Sequence, residues 1–158
     1  MLDRKFFRKI SADVVMKYRK HIFDPAGGGA KAKMVNDRNY PDYKKTKGKN
    51  ESLYKKRKQS GKIKVYGKPQ DLKFAKHNAP VLTGDLYKDY GFQKLLSNGF
   101  SFGFKFEGAK VKRLNDSGRL LSTDKNPIPK SVEKFIMQEA DKYVEKELGK
   151  NKGGTFNI

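Results

Sequence analysis

Phenylalanine stands at 100, 102, 104 and 106, every second residue of "FSFGFKFEG". A period of two places all four rings on one face of a strand and leaves Ser101, Gly103, Lys105 and Glu107 on the other. Four aromatic rings in a row must be covered by apolar surface from elsewhere in the chain, unless they stay exposed as a platform for stacking bases. The spacing favours the covered face. Upstream, "LYKDYGFQKLL" has strand texture, and Ser97-Asn98-Gly99 between the two is an Asn-Gly hairpin signal. The expected unit is therefore a small antiparallel sheet that needs helices to cover it.

Two segments can supply that cover. Phe6, Ile10, Val14, Tyr18 and Ile22 fall at steps of four, which predicts an amphipathic helix over about 3–22 with Lys and Arg opposite. Asp24-Pro25 and Gly27 to Gly29 end it. Near the other terminus, Ser131 can cap a helix whose apolar face is Val132, Phe135, Ile136, Ala140, Tyr143, Val144 and Leu148. Gly149 is its expected stop, and "KNKGGTFNI" over 150–158 reads as a flexible tail. A short helix is expected within 109–121, ending at Asp116-Ser117-Gly118. The fold class is α+β: a single domain over 1–149 with an N-terminal helix, a long basic loop, a small antiparallel sheet and a C-terminal helix.

A chain of 158 residues can bury about 68–70% of its unfolded surface without staples. Cysteine is absent, which excludes disulfides, thiolate zinc sites and a cysteine nucleophile. No apolar run approaches a membrane span, and the N-terminus lacks the apolar core of a signal peptide, so a soluble protein with no membrane partner is expected.

The formal charge is +20, unevenly spread. Residues 1–78 hold 23 Lys or Arg against 7 Asp or Glu, and residues 79–158 hold 14 against 10. Residues 25–62 show no sustained period beyond one possible helical turn near Leu53-Tyr54, and read as a long basic loop or arm. Its Lys44, Lys45, Lys47, Lys49, Lys55, Lys56, Arg57 and Lys58 are the candidate contacts for nucleic acid or an acidic partner. No sequence-reading motif accompanies them, so binding to nucleic acid would be sequence-nonspecific. A solvated loop, and the Lys, Asn, Tyr and Phe usage of an AT-rich genome, account for the same residues without a ligand. "KIKVYG" at 62–67 reads as a short strand.

Catalytic patterns are sparse. His21 and His77 have no metal-ligand spacing, and His21 suits the carbonyl end of its helix. Gly27 to Gly29 lack the Lys-Ser/Thr of a phosphate-binding loop. Pro41-Asp42 with Asp71-Leu72-Lys73 mimics a metal-dependent nuclease signature, but in a lysine-rich chain such a match arises easily. The expectation is no enzyme and no cofactor.

The stretch "APVLTGDL" at 79–86 remains. Gly84 permits a backbone conformation other residues resist, and Thr83 can bond the adjacent backbone. Pro80, Thr83, Gly84 and Leu86, with Ile128-Pro129 and Phe135-Ile136 before and within the last helix, resemble the "P…TG.L" turn and "IP.R.FL" helix start of bacteriophage virion-morphogenesis and tail-completion proteins. His21-Ile22-Phe23 and Tyr40-Pro41-Asp42-Tyr43 match that family more loosely. The family often carries a Tyr-Ala…His…Gly run after the strands, where this chain has Ala109 to Gly118 without Tyr or His. The motif's arginine is replaced by Lys130 or Ser131. The resemblance spans about residues 6–148. It implies a non-enzymatic virion component of the neck, assembled in the host cytoplasm. It further implies a homo-oligomeric ring of six or twelve copies around the DNA channel. Its neighbours would be portal or adaptor and tail-terminator or tail-tube proteins, with nonspecific contact to packaged DNA. In that setting Pro80, Thr83, Gly84 and Leu86 form a structural turn.

Overall fold

The computed structural model describes residues 2–42, 51–65, 67–81, 84–97 and 99–151. Lys44, Lys45, Lys47, Lys49 and Thr83 lie outside them, as does all of the expected tail beyond Asn151.

Helix α1 (Arg4–Phe23) is the hub. Asp3 caps it, its carboxylate accepting from the amides of Lys5 and Phe6 at 2.9 and 3.0 Å. Every residue of the expected stripe, Phe6, Ile10, Val14, Tyr18 and Ile22, is at most 2% exposed, and Phe7 and Phe23 widen it. Each such side chain contributes about 1.5–3 kcal/mol of transfer free energy. Asp24 ends the helix in the left-handed region (φ 44°), and its carboxylate accepts from the amides of Gly27 and Lys31. The glycines beyond are a packing seat: a Cβ on Gly28 would lie 2.3 Å from the Lys73 carbonyl oxygen.

Against α1 lie strands β3 (Tyr90–Leu96) and β4 (Gly99–Phe104), paired antiparallel from Tyr90↔Phe104 to Leu96↔Gly99. The register slips at Gln93, where Phe92↔Phe102 is followed by Lys94↔Ser101. That bulge reverses the phase of β3, so that Tyr90 and the odd-numbered Leu95 both pack on the core. Tyr90 stacks on Tyr18 with ring centroids 3.5 Å apart, and Phe7 meets Phe100 at 5.0 Å. Phe100, Phe102 and Phe104 pack on the core as the alternation predicts. Phe106 does not: β4 stops at Phe104, and this ring is 80% exposed.

The segment 85–89, expected as strand, is the short helix α3 (Asp85–Asp89). Gly84, at φ 82°, turns the chain into it, Leu86 is buried beneath it, and the Asp89 carboxylate accepts from the amides of Phe106 and Glu107. The turn's Pro80 is half-buried. Helix α4 (Gly108–Asp116) then leads through Leu121, fully buried, to α5 (Lys130–Asn151). Helix α5 begins one residue before Ser131, whose hydroxyl lies 3.4 Å from His21 Nδ1 instead of capping. It also continues through Gly149, so the tail boundary at 150 moves to at least Asn151. Helix α5 crosses α1 through Phe6–Tyr143 and fully buried Val132. The fold is α+β, as expected. Among the described residues no helix is long and apolar enough to cross a membrane.

The long loop is only partly a loop. Ala32, Met34, Val35 and Tyr40 are core residues, and the Tyr40 hydroxyl donates to the Ile22 carbonyl at 3.0 Å. Helix α2 (Glu51–Gln59) occupies nine of its residues, where one turn was expected. "KIKVYG" holds the expected short strand, β1 (Lys64–Val65), which pairs with β2 (Lys68–Pro69) in a small hairpin around Gly67 at φ 77°.

Candidate interaction surface

The basic run 55–58 falls on α2. Consecutive helical residues point about 100° apart, so four cations in a row cannot share a face. Lys56 and Arg57 are exposed, and Lys55 pairs with Asp42 at 2.6 Å. That surface pair contributes about 0–1 kcal/mol.

Lys58 turns inward and is 2% exposed, which removes it from the expected polyanion surface. Its ammonium donates to the carbonyls of His77 (2.5 Å) and Ala79 (3.0 Å). Gln70 closes the arrangement, donating to the Lys58 carbonyl at 2.6 Å and accepting from the Ile63 amide at 3.2 Å. Burial, and secondarily the Arg119 guanidinium, push the Lys58 amine down to about 8. Arg119 is itself buried and donates to the Pro41 carbonyl at 2.9 Å. The exposed cations of α2 are thus presented by a helix tied to the 77–79 segment just before the Pro80–Gly84 turn.

No protein-family model, curated protein or solved structure matches this chain.

The remaining sequence candidates take structural places. His21 Nε2 lies 3.2 Å from the Met34 carbonyl oxygen and 3.3 Å from Asp37, tying α1 to the 33–39 turn. Asp71 caps the single 3₁₀ turn Leu72–Phe74 by accepting from the Lys73 amide. Asp42, the other carboxylate of the nuclease-like pattern, pairs with Lys55. Among the described residues no group of three or more His, Cys, Asp or Glu is arranged to hold a metal ion. Gly84 is buried, and a Cβ there would sit 3.0 Å from the Tyr87 ring in addition to its strained φ.

A second basic surface runs along the groove between α1 and α5. Lys5, Lys9, Lys142, Lys146 and Lys150 line it over a floor of Phe6, Ile10 and Tyr143. Glu139 and Glu147 pair with Lys142 and Lys150 at 2.7 and 2.6 Å. Sequence reading missed this groove because its lysines come from the two ends of the chain. Helical spacing of Lys142, Lys146 and Lys150 was the available signal.

Proposed function

We propose that the chain is a non-enzymatic structural component of a tailed-bacteriophage virion. It acts at the neck, in a ring around the DNA channel that joins head to tail. The reading rests on the family resemblance of the "APVLTGDL" turn and the Ile128-Pro129 lead-in to α5. The observation that supports it best is how those residues are used. Gly84 adopts a left-handed conformation directly before the hairpin's short helix, and Leu86 anchors it in the core. The Pro129 carbonyl accepts from the amides of Val132 and Glu133 in the first turn of α5. A motif spent on turns and helix starts suits a scaffold whose work is assembly. The exposed cations of α2 and of the α1–α5 groove would face packaged DNA or acidic ring neighbours.

The test is a stop codon at Tyr18 in the genome that encodes this chain, followed by electron microscopy of lysates. DNA-filled heads and finished tails that fail to join are expected. Normal infectious particles, or arrest before heads form, would overturn the reading. The second reading, sequence-nonspecific nucleic-acid binding, is favoured by the exposure of Lys56 and Arg57 on an anchored helix. It predicts that Lys56→Glu with Arg57→Glu weakens binding of the isolated protein to any duplex, with a reduced dependence on salt.

A further inference from the structure

The two edges of the β3–β4 hairpin differ. Strand β3 carries devices that keep edges from pairing with other chains: the bulge at Gln93 and the charge of Lys94. Strand β4, Gly99-Phe100-Ser101-Phe102-Gly103-Phe104, has no charge, no proline and no bulge. Its partner on one side is β3. On the other side no backbone bond from any described residue reaches it. Alternate residues of β4 therefore turn N–H and C=O groups away from β3 without a backbone partner among the described residues.

Charge decides what can pair there. Over the whole chain 34% of residues are charged, yet the fifteen residues of Tyr90–Phe104 contain one, Lys94. Two copies carrying +20 each repel over most of their surface, and this hairpin is where they can approach without opposing lysines. A nucleic acid gains nothing from an uncharged edge, and a basic or acidic peptide finds no counter-charge on it. The occupant that fits is a second copy of β4, equally free of charge and equally short of partners.

We propose that two molecules associate through antiparallel pairing of β4 with the same strand of a second copy about a two-fold axis near Ser101, giving a four-stranded sheet β3-β4-β4-β3. The contact is isologous, and it closes at two because the remaining edges are the protected β3 edges. The antiparallel register carries Phe106, 80% exposed beyond the end of β4, to the partner's hairpin turn near Leu96, which is 43% exposed. The inference concerns the protein free in solution and does not rest on the neck reading. A ring contact would be a different, head-to-tail one.

The chain lacks cysteine, so single-cysteine crosslinking is unambiguous. Sedimentation of the full chain at tens of micromolar should give about twice 18.1 kDa. Under mild oxidation Ser101→Cys should form a covalent dimer at least tenfold faster than Leu72→Cys, an exposed control on the turn after β2. Ser101→Lys should return the protein to a monomer with an unchanged circular-dichroism spectrum. Should Ser101→Lys fail to fold, Phe106→Ser, at a side chain outside the core, should still weaken the dimer several-fold. A wild-type monomer at about 200 µM, roughly the upper limit for a specific contact, would overturn the proposal. So would a dimer in which Ser101→Cys reacts no faster than Leu72→Cys, since association would then use another surface.

Discussion

Helices α1 and α2 are both rich in Lys and Arg, yet they are seated by opposite means. Helix α1 is held by seven buried apolar or aromatic residues along its length. Among the described side chains of α2, the buried one is Lys58, held by polar bonds to backbone carbonyls. Apolar burial is indifferent to pH and nearly so to salt, whereas an ammonium seat responds to protonation. The first helix can serve as the fixed reference of the fold. The second is held, at Lys58, by a contact that responds to protonation.

The largest effect expected from breaking this contrast is at Tyr18. Its ring stacks on Tyr90, and its hydroxyl donates to the Leu121 carbonyl at 2.8 Å. Tyr18→Ala should cost about 3–5 kcal/mol in chemical denaturation and leave the domain barely folded. Next is Gly84→Val, at the turn that follows the carbonyls holding Lys58. A β-branched residue at φ 82° against Tyr87 should cost about 2–3 kcal/mol, read as a lower melting temperature.

The ammonium seat predicts a pH effect of similar size. The Lys58 amine titrates near 8 when folded and near 10.5 when unfolded, so between those values the unfolded chain holds more protons. The Lys58 contribution to stability should rise by about 2 kcal/mol from pH 8 to pH 10. Buried Tyr18, Tyr40 and Tyr90, all pushed above the ordinary phenol value, begin to oppose it above about pH 9 and cancel about 1 kcal/mol of it by pH 10. Lys58→Met should flatten this rise, and denaturation at pH 7, 8, 9 and 10 measures it. The smallest effect sharpens the contrast from the other side. Lys56→Ala should change stability by under about 0.5 kcal/mol, since its side chain is exposed.

Sequence legibility followed the same division. The α1 stripe, the hairpin and the α5 face as far as Tyr143 were readable because each repeats a period over several turns or residues. Val144 and Leu148, expected on that same face, are exposed because α5 runs on past the body it packs against. The α3 turn was not: five residues hold too little periodicity, and the outcome depends on Gly84's φ and on Asp89 reaching amides 17 and 18 residues away. Nothing local distinguishes Lys58 from its neighbours in "KKRK". Its burial is set by the distant His77 and Ala79 carbonyls. Met34, Val35 and Tyr40 were passed over because isolated apolar residues in a polar stretch carry no repeat. Of the candidate surface, Lys56 and Arg57 are exposed, while the α1–α5 groove needed the fold to bring the termini together.

The buried amine of Lys58 also makes α2 self-reporting. Acylating reagents modify lysines they can reach, and this one is accessible only while α2 is lifted from the 77–79 segment. Once acylated, it cannot restore its ammonium hydrogen bonds, so each opening that is caught becomes permanent. The rate at which Lys58 is labelled, set against that of Lys56 two residues away, would count how often the basic helix comes off the body of the protein.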